Sequence, residues 1–115
     1  MGDCRIELGA EGWGNARFEV DPARPPATAT TSLSLLANEM SCAGGGPPSG
    51  RDVRGVIVDD GEDAVAILIL VEPIQGAATC PTNPDFPFEI ELPSALGDRE
   101  IVDASSYPFE VRWPR

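Results

Sequence analysis

Two glutamates in the segment FEIELP, Glu89 and Glu91, have the spacing of a carboxylate pair that could perform acid–base chemistry. They alternate with Phe88, Ile90 and Leu92, so on a strand they share one face and lie about 7 Å apart. Glycoside hydrolases hold two carboxylates at comparable separations. Alternation alone also produces such a pair, and no neighbouring residues signal the apolar pocket that a general acid requires. The pattern favours a solvent-facing strand, with a small carboxylate-dependent hydrolase as the alternative.

A second acidic segment, VIVDDGEDAVAILILVEP, carries four carboxylates around one glycine: Asp59, Asp60, Glu62 and Asp63. Oxygen ligands at this density could hold Ca²⁺, although their spacing is not that of an EF-hand loop. The Asp60-Gly61 pair stands between two apolar runs, which predicts a tight hairpin turn with positive φ angles. Solvated charge around a hairpin is the preferred interpretation, and a weak calcium site is the alternative.

The densest polar grouping lies near the end of the chain, where Asp98 and Arg99 follow Gly97. Asp103, Ser105, Ser106 and Tyr107 come soon after. An Asp beside a glycine bend ordinarily accepts hydrogen bonds from backbone N–H groups. Turn formation explains most of this grouping. Asp98, Arg99 and Tyr107 are nevertheless the candidate binding residues that the sequence offers.

The composition excludes several classes of function. The chain has 115 residues with no His and no Lys, so all 8 basic residues are Arg, against 19 acidic residues and a net charge of -11. Imidazole general bases, the usual zinc sites, Schiff-base lysines and P-loops are therefore ruled out. The negative charge disfavours nucleic acid as a partner. We expect no cofactor and no catalytic residue.

Period-two alternation dominates the chain and predicts half-buried strands. ARFEV alternates around Phe18, and FEVRW alternates Phe109, Val111 and Trp113 with Glu110 and Arg112, which predicts that those three apolar residues face the core. The run 64–71 is apolar throughout and predicts a central strand. Residues 33–42 fit either a strand or a helix, and their surroundings favour the strand.

This spacing of short strands predicts one all-β domain over residues 1–115, a small antiparallel β-sandwich with Ig-like topology as the first expectation. Residues 21–30 are rich in Pro, Ala and Thr and predict an extended connection, and residues 43–51 predict a Gly- and Pro-rich loop. No run of about 18 apolar residues predicts a membrane span, and no apolar leader opens the chain. An exported protein would therefore have lost its signal peptide.

Three cysteines allow one disulfide and one remaining thiol. Cys42 and Cys80 both border Gly- and Pro-rich segments, which favours their pairing, and closing a loop of about 40 residues would stabilise the fold by roughly 4 kcal/mol. Two reduced, buried cysteines are the alternative. Cys4 shares the side of Ile6 and Leu8 and is expected to be a small core residue, with pairing to another chain as the alternative.

The loop 42–51 could also present an extended peptide to a protease. Arg51 or Arg54 would then be the recognised side chain, because a rigid loop binds with little ordering cost. Three successive glycines, Gly44 to Gly46, favour a plain connection instead.

Three segments together, SCAGGGPPSGR, GAATCPTNP and LPSALGDREIVDASSYP, resemble a group of small exported proteins of actinobacteria with no assigned activity. The shared pattern is Cys42-Ala43, then Cys80 to Pro84, then Leu96 to Arg99, then Tyr107-Pro108. The resemblance covers roughly the last two thirds of the chain. It implies export, a disulfide between Cys42 and Cys80 and an all-β domain. We therefore expect a monomeric, non-enzymatic binding or structural module of the cell envelope.

Peptide mapping without reduction tests the predicted bridge. We expect the peptide that contains Cys42 to be joined to the peptide that contains Cys80, while Cys4 is alkylated once the protein is unfolded. Alkylation of both Cys42 and Cys80 in the native protein would contradict the bridge and remove the main argument for an oxidising compartment.

Overall fold

The computed structural model describes residues 6–7, 13–39, 51–72 and 84–114. All regular structure within these residues is strand, so the all-β prediction is confirmed. In chain order the strands are β1 (Ile6–Glu7), β2 (Gly14–Val20), β3 (Ser32–Glu39), β4 (Val53–Asp60), β5 (Ala64–Val71), β6 (Phe86–Glu91), β7 (Glu100–Asp103), β8 (Ser106–Tyr107) and β9 (Glu110–Trp113). The segment with two possible structures is strand β3 as far as residue 39.

Seven of these strands form one mixed sheet with the order β6-β3-β2-β5-β7-β9, and β4 pairs with β5 beside this path. The short strands β1 and β8 form a separate antiparallel pair. Strands β5 and β7 run parallel to each other, so the purely antiparallel arrangement expected from the sequence is wrong.

Strand β5 is central, as its apolar run predicted. Along one edge it pairs with β4 over nearly its whole length. Its other edge is divided: β7 takes the first half, from Ala64↔Glu100 to Ile67↔Asp103, and β2 takes the second half, with Ala16↔Ile69 as the pair nearest the division. The sheet therefore forks at β5, where β2 and β7 meet end to end.

The main core contains the inward residues of four strands: Ala16, Phe18 and Val20 of β2; Leu33, Leu35 and Ala37 of β3; Val65, Ile67, Ile69 and Val71 of β5; Phe86 and Ile90 of β6. Leu92, Leu96 and Ile101 complete it. Strand β4 approaches β6 closely across this core. A Cβ atom at Gly55 would lie 2.6 Å from Cδ1 of Ile90 and 2.9 Å from Cε2 of Phe88, so glycine is the residue that permits this contact.

The hairpin predicted around Gly61 is confirmed, because β4 and β5 are antiparallel neighbours joined by residues 61–63. The predicted turn chemistry is wrong. Gly61 does not have a positive φ, and its N–H donates to the Ala64 carbonyl at 3.0 Å. A register shift between Ile57 and Asp59 adds one residue to β4 shortly before the turn. The connection itself has three residues, so it does not need the positive φ angles of a two-residue turn. Among the described residues the left-handed glycine is Gly97, at φ 65°.

The predicted orientation of β9 is also wrong. Val111 is 51% exposed and Phe109 is exposed as well, whereas the Arg112 side chain is only 15% exposed. Trp113 does pack against the core as predicted. A register irregularity places Trp113 opposite Ile101 but Val111 opposite Val102, and this lets both Trp113 and Arg112 turn inward.

Candidate functional site

The fork in the sheet leaves one backbone donor of β2 without its strand partner. Two residues beyond the pair Ala16↔Ile69, Phe18 would oppose Ile67, but Ile67 is already paired with Asp103. The N–H of Phe18 donates instead to Oδ2 of Asp103 at 3.0 Å. A side-chain carboxylate thus replaces the missing sheet hydrogen bond, as a buried backbone donor requires.

Asp103 is a charged group in the protein interior, with its side chain 1% exposed. Its Oδ1 accepts from the Ser105 N–H at 2.9 Å, and its Oδ2 accepts from Arg112 Nη2 at 3.1 Å and Nε at 3.3 Å. An isolated buried carboxylate would be very costly, and this one is tolerated because it is paired and hydrogen-bonded. Asp103 therefore joins β2, the end of β7 and β9 at one point.

Arg112 extends this network towards the surface. Its Nη1 lies 3.2 Å from Glu110 Oε2 and 3.4 Å from Glu19 Oε1. Both acids are more exposed than Asp103, so each of these contacts contributes less than the buried one. Together these contacts fix the Arg112 side chain between β9 and β2, where it forms one wall of a groove.

A groove of about 680 Å³ lies beside this wall. Its floor is the outer face of β2 and β3, and its sides come from the start of β6 and from the residues around β8 and β9. It is lined by Arg17, Phe18, Glu19, Leu36, Asn38, Asp85, Asp103, Ser105, Ser106, Glu110 and Arg112.

Three polar side chains form a row across the floor of this groove. Arg17 of β2 stands directly opposite Asn38 of β3, and Nδ2 of Asn38 donates to Oδ1 of Asp85 at 3.0 Å. Because neighbouring strands are about 5 Å apart, the row spans roughly 10 Å from Arg17 to Asp85. We call these three residues the polar row.

The two ends of the polar row have charges that the rest of the described chain does not balance. Five of the six described arginines form an ion pair with a carboxylate, and Arg17, which is exposed, is the sixth. The partner of Asp85 among the described residues is the neutral amide of Asn38. The groove therefore offers an open guanidinium at one end of the row and an open carboxylate at the other.

The residues selected from the sequence do not form one site. Arg99 is largely buried and donates to the carbonyls of Leu96 at 2.9 Å and Ala95 at 3.0 Å, and it also pairs with Asp60. It thus fastens the loop before β7 to the β4–β5 turn. Asp98 is exposed beside it. Tyr107 is 62% exposed, meets the Phe109 ring edge-on at 6.0 Å between centroids, and does not line the groove.

Residues 60–63, at the turn between β4 and β5, line a second hollow of about 580 Å³ together with residues 94–99. No group of three or more acidic residues in the described part of the chain is arranged to hold a metal ion, and this covers Asp59, Asp60, Glu62 and Asp63. One of the four carboxylates, that of Asp60, forms an ion pair with Arg99 and is therefore not free to bind a metal ion. The calcium hypothesis has no geometric support.

Glu89 and Glu91 are both exposed on β6, on the solvent-facing side that alternation favoured. Glu89 lies 3.3 Å from Arg24 in an exposed ion pair, and neither glutamate lines the groove or the second hollow. The pair therefore lacks the enclosed environment that glycoside hydrolysis requires.

Arg51 is not available as a recognised side chain of a protease-binding loop. Its guanidinium makes two hydrogen bonds of 2.7 Å to the Glu39 carboxylate, and the two side chains are 12% and 3% exposed. This hydrogen bonding with Glu39 raises the pKa of Arg51, so its charge is retained. Arg54 is exposed, pairs with Asp52 at 2.8 Å and lies over the Trp13 ring at 5.1 Å.

Residues 42–50 and all three cysteines lie outside the described residues.

Sequence reasoning placed Asp103 in the polar grouping but did not select it. The available signal was its position on a strand: in EIVD, Asp103 shares the inward side with Ile101, so a carboxylate stands where alternation demands an apolar residue. Arg17, Asn38 and Asp85 carried no such signal, because each occupies an ordinary outward position.

Comparison of the chain with protein-family models, curated proteins and solved structures found no match. The described residues contain no helix with the length and apolar character that crossing a bilayer requires. The function is therefore inferred from the groove itself.

Replacement of Asp103 by Asn tests the buried network. The carboxamide presents an N–H₂ group where two oxygens now accept from four donors, and Arg112 loses its buried counter-ion. We expect Asp103→Asn to lower the free energy of unfolding by roughly 3 kcal/mol, measured by urea denaturation. The matched control, Asp98→Asn at an exposed position, should change it by less than about 0.5 kcal/mol. Equal stability of both variants would contradict the role given to Asp103.

Proposed function

We propose that the protein is a non-enzymatic binding module that takes a small polar ligand in the groove beside Arg112. The observation that carries this proposal is the polar row, in which Arg17 and Asp85 lie open at the two ends of a concave surface. Small-ligand sites are concave and place a few polar groups so that they fix the ligand's orientation.

The groove is supported by rigid elements. Arg17 and Asn38 are on paired strands, Asp85 immediately precedes β6, and Arg112 is held by three acidic side chains. The sheet fixes the backbone positions from which Arg17 and Asn38 project before a ligand arrives, so less of the chain has to be ordered on binding.

The groove is better suited to recognition than to catalysis. Asp103 is saturated by hydrogen bonds from Phe18, Ser105 and Arg112. The serines that line the groove, Ser105 and Ser106, are buried, and the chain has no His to activate a hydroxyl. The open groups that remain are the Arg17 guanidinium and the Asp85 carboxylate, whose partner within the described residues is the Asn38 amide, and both can bind charged or hydrogen-bonding ligands.

The cellular setting in this proposal is the outside of the membrane. An exported, monomeric, envelope-associated module with a Cys42–Cys80 bridge and a sandwich-like body is consistent with the resemblance in residues 42–108 and with the acidic, Lys-free composition. The bridge, the Ig-like topology and the monomeric state are predictions.

Binding in the groove is tested by two-dimensional ¹H–¹⁵N NMR with two ligand panels, one of amino acids and short peptides and one of mono- and oligosaccharides. We expect at least one panel member to shift resonances of the polar row, and Arg17→Gln to weaken that binding at least tenfold. Arg24→Gln, which removes another exposed arginine that does not line the groove, should leave the affinity unchanged. Shifts confined to the hollow formed by residues 60–63 and 94–99, or no shifts with either panel, would refute the proposed site.

A further inference from the structure

The charges in the groove restrict the ligand that it can take. Four acidic residues and two arginines line it, a net charge of -2, and the whole chain carries -11. A purely anionic ligand such as inorganic phosphate would meet Arg17 but would be repelled by the neighbouring carboxylates.

Neutral and purely cationic ligands fit less well than a ligand with both charges. A neutral sugar would remove water from Arg17 and Asp85 without supplying a counter-charge to either, which is costly. A cation would satisfy Asp85 and leave the Arg17 guanidinium facing a positive group. The two ends of the polar row therefore fit a ligand that carries both an anionic group, for Arg17, and a cationic group, for Asp85.

The length of the polar row sets the distance between those two charges. Its ends are roughly 10 Å apart along the sheet, and the Arg17 side chain can lean inwards to shorten that span. An extended peptide covers about 3.3–3.6 Å per residue, so two or three residues separate an α-carboxylate from an α-ammonium group by a matching distance. Between the ends, Asn38 is placed beside the peptide's own amide groups.

We infer that the ligand is a zwitterionic di- or tripeptide, with its C-terminal carboxylate bound by Arg17 and its N-terminal ammonium bound by Asp85. This inference rests on the proposed binding function and deepens it. Arg17 can bind the carboxylate through two parallel N–H donors, and Asp85 can accept from the ammonium while keeping its bond to Asn38. The half-buried Leu36, which lines the groove beside the polar row, provides an apolar contact for a small side chain.

Isothermal titration calorimetry with trialanine, its N-acetylated form, its C-amidated form and its doubly blocked form tests this assignment. In the wild-type protein we expect N-acetylation and C-amidation each to weaken binding at least tenfold. Arg17→Gln should weaken binding of the free peptide by a similar factor and should abolish the effect of amidation alone. Asp85→Asn should abolish the effect of acetylation alone, and Arg24→Gln should change nothing.

The outcomes separate the inference from the function on which it rests. If the doubly blocked peptide binds as tightly as the free one, or if oligosaccharides bind in the groove and peptides do not, the zwitterion assignment is wrong and the binding function stands. If nothing binds in the groove, both are wrong. The blocked peptides test the assignment on the wild-type protein alone, so an unfolded variant would not prevent a decision.

Discussion

The geometry of this protein depends on one buried carboxylate at a fork in the sheet. Strand β5 has a single edge to offer to β2 and β7, and at Ile67 it cannot pair with both. Asp103 resolves this conflict because its side chain accepts the Phe18 N–H that β5 no longer accepts. A backbone donor buried without a partner at this position would cost a large share of a small domain's stability.

The buried carboxylate requires a cation, and the arginine that supplies it also contacts residues at the surface. Arg112 turns inward to Asp103, which displaces Val111 and Phe109 outward and produces the irregular register of β9. The same guanidinium contacts Glu19 and Glu110 and so forms one wall of the groove. The interaction that completes the sheet thus also shapes the surface where we place the ligand.

The parts of this structure that were predictable from sequence are those in which neighbouring residues determine the outcome. Alternation identified β2 and β6, and the apolar run identified β5 as central. Alternation failed for β9 because Arg112 is drawn inside by Asp103, which is on another strand. The candidate binding residues were chosen for being near one another in sequence, and Arg99 serves to fasten loops. The polar row joins positions 17, 38 and 85, and only the order of three strands brings them together.

The hydrogen bond between Phe18 and Asp103 can be observed directly as an NMR scalar coupling between the Phe18 amide nitrogen and the Asp103 side-chain carboxyl carbon. The Ala23 amide is an internal comparison, since it donates to the Asp21 carboxylate at 2.9 Å in an exposed turn. We predict a detectable coupling and slow hydrogen exchange at Phe18, with fast exchange at Ala23. Absence of the coupling together with exchange at Phe18 as fast as at Ala23 would contradict the central role of Asp103.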